Sequence, residues 1–476
     1  MYFRKPGYIT TVVCMAFLLV VLAAPAQALV VDDGIQYNHL VKTLSDGKKA
    51  EVDYLLVDIK KRKIELKPVL AGKTLGYLQP LSSIAREYGA IAAINGSFYS
   101  AQVNLTPVDT TVLDQRMLVK SGREATAMIA LQDRRLQFQQ LNPDVILSLP
   151  DKGKEFKAES LNIECPQGLS IYTPEFGTNT KNDLVNLEFI VKPIDGKMII
   201  TEIKNGGATI PEGGFVISMQ GWEKPYRYDF AIGDQVSWRA DYHGLEGIKD
   251  IVTNGPRLVK NGRRDVPTDN ESLGSLAGRN PRTAVGVTRS GQALLVTVDG
   301  RSQSSAGMTF IELADLMVEL GASDAMALDG GGSTEMIVNG GIVNTPSDGR
   351  ERSINNAILV ISQIPVYLDG QRIYFETPPV NRDGRLLVPM RKLFEGLGAQ
   401  VEWDENTRTV SAVKGDTQIQ LTIGKRTAKI NGYNVSIDTE ATIINGRTMV
   451  PLRFVSQSLG AKVGWDPSTQ TAYINQ

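Results

Sequence analysis

Histidine is the scarcest chemistry-bearing residue in this chain: 476 residues contain two, His39 and His243. A Ser-His-Asp triad, a histidine-rich zinc site and a Cys-His dyad each need imidazole, and neither histidine sits in a recognisable motif. Cysteine is as rare, with only Cys14 and Cys165. Charge of one sign is lacking too, since 51 Lys+Arg oppose 52 Asp+Glu. The basic face that a nucleic-acid binder requires is therefore missing. Aromatic residues make up 7% while glycine numbers 45, a composition of turns and sheets rather than of a helical bundle. What is left to do chemistry is carboxylate, arginine, amide and backbone N–H.

Long apolar runs are confined to the first 28 residues. Arg4 and Lys5 precede TVVCMAFLLVVLAA, then Pro25 and Ala26-Gln27-Ala28. A basic start, a short apolar stretch and an A-x-A site make a secretory signal peptide. The run falls short of the roughly 20 apolar residues of a membrane span, so cleavage after Ala28 is expected, with no transmembrane segment afterwards. Cys14 lacks the small residues that precede a lipidated cysteine. Export then leaves Cys165 alone, which excludes an intramolecular disulfide and points to a bacterial exported protein held by packing.

The length suits two or three domains. Near the end, GRLLVPMRKLFEGLGAQVEWDENTRTV from Gly384 recurs as GRTMVPLRFVSQSLGAKVGWDPSTQTA from Gly446. Arg391 and Arg453, and Trp403-Asp404 and Trp465-Asp466, hold equivalent places. Each unit reads as a short strand, an amphipathic helix ending at Leu-Gly and a hairpin, and two such units are expected to share one sheet. The repeats resemble the copper amine oxidase N-terminal domain over about residues 364–476. That span holds no histidine or cysteine, so copper has no imidazole or thiolate ligand. The resemblance implies attachment to cell-wall or surface polymer. Trp403 and Trp465 are either sugar-stacking platforms or core, with core favoured by their equivalent places after the helix.

From Leu29 to Ser362 alternating strands dominate. EVDYLLVDIKKRKIELKPVL reads as a hairpin-like pair, and MIITEIKNGG, GGFVISM and GQALLVTVDG as single strands. Two helices interrupt them, LQPLSSIAREYG and MTFIELADLMVELGA. The second carries Phe310, Leu313, Ala314, Met317 and Leu320 at helical spacing, with Gly321 as its C-cap. Next comes the strand DAMALD, which runs into LDGGGSTEM, residues 328–336. A nucleotide P-loop needs GxxxxGK[ST] before a helix. This stretch has no lysine, and TEMIVNGGIVN after it alternates like a strand.

Other strands end in the same way. Ile91–Ile94 runs into Asn95-Gly96-Ser-Phe-Tyr99, and Ile251-Val-Thr into Asn254-Gly-Pro-Arg257. Arg279-Asn-Pro-Arg282-Thr283 precedes AVGVT, and LLVTV runs into Asp299-Gly-Arg301. Glycine beside a polar residue permits close approach of a ligand, and the guanidinium fork matches phosphate oxygens. Strand ends converging on an anionic, hydroxyl-rich substrate are the expectation.

The order INGSFY, NGPRLVKNG, RNPRTAVGVT, LLVTVDGR, the LDGGGSTEM block, VNGGIVNTPSDG and ERSINNAILV resembles the phosphodiester glycosidase family over about residues 40–362. The resemblance implies hydrolysis of a sugar 1-phosphodiester, of the N-acetylglucosamine-1-phosphodiester type, at the C1–O bond. Under it Asp329 is the principal carboxylate and Asp299 a second, although Asp299 reads equally as a turn former. Arg279 and Arg282 are the first choices for the phosphate, with Arg301 and Arg352 behind them. Asn95, Gly96, Asn254 and Ser333 are substrate contacts, and Gly330, Gly331 and Gly332 offer N–H groups to an anion.

The fold expected is α+β: a mixed-sheet catalytic domain with a few helices over residues 29–362, after the leader 1–28, and a small α+β repeat domain over 363–476. No cofactor is required. Asp348 and Glu351 are candidate ligands for a hard cation such as Ca²⁺, without EF-hand spacing, so no metal is assigned. The expected partners are a sugar-phosphate or polysaccharide substrate and, through the repeats, a cell-wall polymer. The expected location is secreted or cell-wall associated. Two other readings stay open, a non-catalytic surface carbohydrate binder and a phosphodiesterase cutting the P–O bond.

Overall fold

The computed structural model describes residues 29–99, 105–163, 168–182, 185–220, 228–266 and 276–476; the leader 1–28 and Cys165 lie outside the described residues. Two antiparallel sheets face each other at its centre. The first has eight strands, in the order Leu29–Asp32, Ile35–Thr43, Lys49–Val57, Ala293–Val298, Arg282–Thr288, Ala322–Ala327, Arg257–Lys260 and Arg263–Arg264. The second runs Gly341–Ile342, Met336–Val338, Ala92–Asn95, Asn356–Ser362 and Ile64–Leu70.

Strand side chains alternate between faces, and here both faces are apolar. Leu55, Val285, Leu295 and Met326 of the first sheet meet Leu66, Ile94, Met336, Ile358 and Val360 of the second. On the outer face of the first sheet, Leu294, Val296 and Ala325 pack against Leu313, Ala314 and Met317 of helix α2 (Phe310–Glu319). On the outer face of the second, Ala93, Leu359 and Ile361 pack against Leu81, Ile84 and Ala85 of helix α1 (Leu81–Tyr88). The result is helix, sheet, sheet, helix. The start of α2 is fixed by a capping box, Thr309 accepting from Glu312 N while the Glu312 side chain accepts from Thr309 N, an arrangement that satisfies two otherwise orphaned donors.

Two expectations about pairing are corrected. EVDYLLVDIKKRKIELKPVL does form two strands, but they do not pair with each other. Lys49–Val57 lies between Ile35–Thr43 and Ala293–Val298 in the first sheet, and Ile64–Leu70 pairs with Asn356–Ser362 in the second. The turn between them crosses from layer to layer, because both strands are buried on the shared face and cannot both occupy one sheet edge. The sheets are also antiparallel almost throughout. Parallel pairing occurs only between Ser160–Leu161 and Gly168–Tyr172 and between Val366–Leu368 and Thr471–Asn475, among the described residues. Among the described residues about half are strand and about a tenth helix, which fits a β-rich α+β or a mainly β fold.

Residues 111–254 add a further β region with its own core, including Val112, Ile129, Leu147, Phe189, Ile217 and Ile251. The repeats at residues 366–474 enclose another core around Phe375, Leu393, Phe394, Leu421, Val455 and Ile474. The expected shared sheet holds for the first strand of each unit: Arg385–Pro389 and Arg447–Pro451 pair antiparallel, each followed by a short helix, α3 (Met390–Gly396) and α4 (Leu452–Ser458). The hairpins of Gln400–Asp404 with Thr409–Lys414 and of Lys462–Asp466 with Thr471–Asn475 lie in separate sheets. Trp403 is half-buried against this core, whereas Trp465 is 38% exposed. The core reading therefore holds in part for Trp403 and not for Trp465. No helix among the described residues is long and apolar enough to cross a membrane.

Candidate active site

In the first sheet, Ala322–Ala327 and Ala293–Val298 run antiparallel to Arg282–Thr288 on either side of it. Their last residues therefore emerge beside the start of Arg282–Thr288. That edge carries Asp329, Asp299 and the segment Asn280–Arg282, and the second sheet brings Asn95 to the same place. Asn95 is the clip between sheets: its Nδ2 donates to Asp329 O at 2.7 Å, while its Oδ1 accepts from Thr283 Oγ1 at 2.7 Å and from Glu335 N at 3.2 Å. Asn95 is buried, so it positions the Asp329 turn and is not free to hold substrate.

A cavity of about 220 Å³ opens beside this turn, lined by Phe98, Leu276, Asn280, Arg282, Arg301, Leu328, Asp329, Gly330–Gly332 and Arg352. Asp329 is the only carboxylate among these residues. Burial pushes its carboxyl up to about 6, against the pull of the Ser333 hydroxyl, the Gly330 N–H and Arg352. Ser333 Oγ is buried without a partner of good hydrogen-bond geometry, so it acts on Asp329 as a nearby dipole rather than through a formed bond. Burial also raises the nearby Tyr99 hydroxyl, and Asp329 adds to the rise.

The three glycines are required by their surroundings. A Cβ on Gly330 would stand 2.8 Å from Pro281 O, Gly331 has φ +62°, and a Cβ on Gly332 would stand 2.1 Å from Arg352 Nη2 and 2.3 Å from Asp348 Oδ2. Their N–H groups are not all free for an anion, since Gly331 N donates to Pro281 O at 2.9 Å. Gly96 lies outside the cavity: its carbonyl accepts from Asp329 N at 3.0 Å, and a Cβ there would meet Asn356 Oδ1 at 1.9 Å.

The arginines divide into two pairs. Arg301 and Arg352 line the cavity from the exposed side. Arg301 donates to Asn280 Oδ1 at 3.0 and 3.3 Å, and Arg352 to Asp348 Oδ2 at 2.6 and 3.0 Å. Arg279 and Arg282, the first choices from sequence, are committed elsewhere. Arg279 is held by Glu312 and Asp46, which raise its pKa, and does not line the cavity. Arg282 is buried over the Phe310 ring at 3.9 Å and donates to the carbonyls of Met308, Leu276 and Gly278. Burial, with Arg301 nearby, depresses it to about 10. It borders the cavity as a strut, because its donors point into backbone.

Asp299 is also displaced from the expected role. Its Oδ1 accepts from Asn344 Nδ2 at 3.0 Å and its Oδ2 from Thr345 N at 2.9 Å, and it is absent from the cavity wall. Asn254 is buried outside the cavity, its Nδ2 without a partner. Asp348 and Glu351 are taken as well, the first by Arg352 and the second by Ser82 N and Oγ at 3.1 and 2.7 Å. Among the described residues no three His, Cys, Asp or Glu side chains converge to hold a metal ion. His39 pairs with Asp53 at 3.0 Å and His243 faces Asn142 O at 3.1 Å, both away from the cavity.

Sequence reasoning missed Phe98, Leu276, Asn280 and Leu328 in the wall. Phe98 and Asn280 lie inside motifs already singled out, INGSFY and RNPRT. It also missed Glu335, which is buried two residues beyond Ser333. Burial and the neighbouring Glu351 carboxylate push Glu335 up to about 9. The alternating TEMIV pattern gave no sign of a buried acid.

Two family models match the chain. Residues 188–361 match the phosphodiester glycosidase model and residues 367–474 the copper amine oxidase N-terminal domain model. The first span holds Asp329 and its arginines but not Asn95. Over 121 residues, 25% of this chain and 19% of the relative, it is 38% identical to the SPbeta prophage-derived uncharacterized protein YomE of Bacillus subtilis (strain 168). Over 108 residues, 22% and 20% of the two chains, it is 31% identical to N-acetylglucosamine-1-phosphodiester alpha-N-acetylglucosaminidase of Bos taurus. The matched stretch thus spans about a fifth of the length of these curated relatives. In fold the chain is similar to a hypothetical protein from Synechocystis, with TM-score 0.63 and 24% identity over 72% of this chain and 64% of that one.

Proposed function

We propose that this protein is an exported hydrolase that cleaves sugar 1-phosphodiesters, of the N-acetylglucosamine-1-phosphodiester type, at the glycosidic C1–O bond of cell-wall or exopolysaccharide material. The observation that carries this reading is a single half-buried carboxylate, Asp329, in a small cavity whose open side bears two arginines, Arg301 and Arg352. Glycosyl transfer needs a carboxylate at the anomeric carbon. A phosphate leaving group departs with the C1–O electron pair and needs its charge neutralised more than it needs a proton. With a pKa of about 6, Asp329 is mostly ionised at neutral pH and serves as the catalytic carboxylate, while Arg301 and Arg352 face the phosphate. Water supplies the hydroxyl that ends on C1. The phosphodiester glycosidase match and the bovine relative's printed activity support the reaction class. The signal-peptide pattern of residues 1–28 and the C-terminal repeats support export and attachment.

The test is product identification with UDP-N-acetylglucosamine and with the methyl phosphodiester of N-acetylglucosamine 1-phosphate. Free N-acetylglucosamine with UDP or methyl phosphate is expected. Release of N-acetylglucosamine 1-phosphate would show P–O cleavage instead, and sugar binding without turnover would show a binding protein.

A further inference from the structure

A second cavity, about 740 Å³, lies where the C-terminal repeats meet the rest of the chain. One wall comes from Asp114–Arg116, Ala130–Gln132 and Arg134–Leu136, and the other from Tyr367, Gly370–Arg372 and Tyr374. In the first wall Ala130–Gln132 and Arg134–Leu136 belong to the hairpin formed by Ala125–Leu131 and Leu136–Leu141, and Asp114–Arg116 to the turn between Thr111–Leu113 and Arg116–Val119. The second is the outer face of the sheet in which Val366–Leu368 pairs with both Gln371–Ile373 and Thr471–Asn475. Neither wall makes a site alone.

The junction is held by a buried ion cluster beneath the cleft. Arg372 and Lys249 both pair with Glu65, and Tyr374 donates its hydroxyl to the same carboxylate at 3.1 Å. Burial pushes Glu65 up, but Arg372, Lys249 and Lys67 outweigh it and hold the carboxyl at about 2. This cluster uses one edge of the Arg372 guanidinium. Its Nε and Nη2 are buried with no hydrogen-bond partner, which is rare for charged donors, and the guanidinium lies over the Tyr374 ring at 5.0 Å.

Above the cluster the cleft has three kinds of group. Tyr367 presents a ring whose other neighbour is Tyr473, stacked at 5.6 Å with an interplanar angle of 20°. The amides of Gln115, Gln132 and Gln371 stand around it. Arg116 and Arg135 line the cleft with exposed guanidinium groups, each paired with one carboxylate, Glu175 and Asp133, while Arg134 is tied to the carbonyls of Ile59, Lys61, Arg62 and Ile64. A flat aromatic face receives the apolar C–H face of a pyranose ring, amides and carboxylates take its hydroxyls, and an exposed guanidinium takes an acidic substituent. A bare polyanion such as a nucleic-acid backbone would gain nothing from the carboxylates.

We propose that this cleft is a second carbohydrate site, separate from the Asp329 cavity, that binds an acidic sugar through Tyr367, Arg372 and the surrounding amides. The proposal does not depend on the hydrolase reading, because no residue is shared by the two walls of residues. It places polymer recognition at the junction between the repeats and the main body rather than on Trp403 or Trp465.

The test is calorimetric titration of the mature chain with a glucuronic acid–N-acetylglucosamine disaccharide and with neutral chitobiose. The acidic disaccharide is expected to bind at least tenfold more tightly than chitobiose. Tyr367→Ala should weaken it roughly tenfold, the scale of one aromatic contact. Arg135→Glu, at an exposed position on the rim, should weaken it similarly without touching the Glu65 cluster. Asp329→Asn should leave it unchanged. The proposal is overturned if neither sugar binds at millimolar concentration, if chitobiose binds equally well, if binding survives Tyr367→Ala and Arg135→Glu in folded protein, or if Asp329→Asn removes it.

Discussion

Asp299 and Asp329 occupy nearly the same setting in sequence, each ending a buried strand and each followed by glycine, yet the fold treats them in opposite ways. Ala293–Val298 delivers Asp299 to the Asn344–Thr345 loop, which supplies a donor to each of its oxygens. Ala322–Ala327 delivers Asp329 to a cavity wall where its only nearby aids are a dipole, one N–H and an arginine. Burial raises both carboxyls above the ordinary range, but only Asp329 keeps an open face. The lesson is that a strand-end Asp-Gly becomes reactive through what the next loop leaves uncovered. The same burial spent on two good donors makes a structural tie.

The largest expected effect separates the two directly. Asp329→Asn should lower kcat by about 10²–10⁴-fold, the range for a lost catalytic carboxylate, with the unfolding transition unmoved or raised. An activity near wild type would remove Asp329 from the mechanism. The wild-type rate should also rise as pH passes through about 6, where Asp329 loses its proton; a flat profile there would break the assignment.

Gly332→Ala comes next. Its new Cβ meets the flexible ends of Arg352 and Asp348 rather than backbone, so the fold should survive while Arg352 is pushed aside. KM for the phosphodiester should rise about tenfold or more, since small misplacements of a charge clamp are costly. Steady-state kinetics with a melting curve would show it.

Asp299→Ala should do the reverse of Asp329→Asn. Asn344 Nδ2 and Thr345 N lose their acceptor, and stability should fall by about 1–3 kcal/mol in denaturant unfolding. Activity per folded molecule should stay within about tenfold of wild type, well short of a lost catalytic group. A larger loss would return Asp299 to the catalytic list.

The smallest effect on activity is expected from Glu335→Gln, whose signature is in stability. The folded pKa of about 9 lies above the ordinary 4.5, so the stability from protonated Glu335 is complete below about pH 4.5 and declines as pH rises. It is gone once pH has passed about 9. Glutamine stays neutral throughout, so the variant should lose less stability than wild type as pH rises towards 9, and the difference should level off above about pH 9. Melting curves from pH 6 to 10 would test this.

Much of the framework was legible before any coordinates. Period-2 alternation marked the strands, and the spacing Phe310, Leu313, Ala314, Met317 marked α2. The duplicated VPxR and Trp-Asp elements marked the repeats, and the glycine triplet marked the turn at Asp329. These signals are local, set by side-chain period and backbone freedom. The hairpin reading of residues 51–70 failed because two adjacent apolar strands look alike whether they pair or cross between layers. Arg279 and Arg282 looked like clamps because an arginine in a polar turn has the same sequence signature whether it faces solvent, Glu312 or three carbonyls.

The sequence by itself determined the shortage of imidazole and thiol, the chain of strand-end turns and the prominence of Asp329, because composition and local pattern are enough to settle which chemistry is affordable. Only the tertiary structure decided which arginines line the exposed side of the cavity, that Asp299 is a tie, that Glu335 is buried beside Glu351, and that Tyr367 and Arg372 meet residues 114–136 across a cleft. Those outcomes depend on burial and on partners distant in the chain, and the free energy of a charged or polar side chain is set by its neighbours in space.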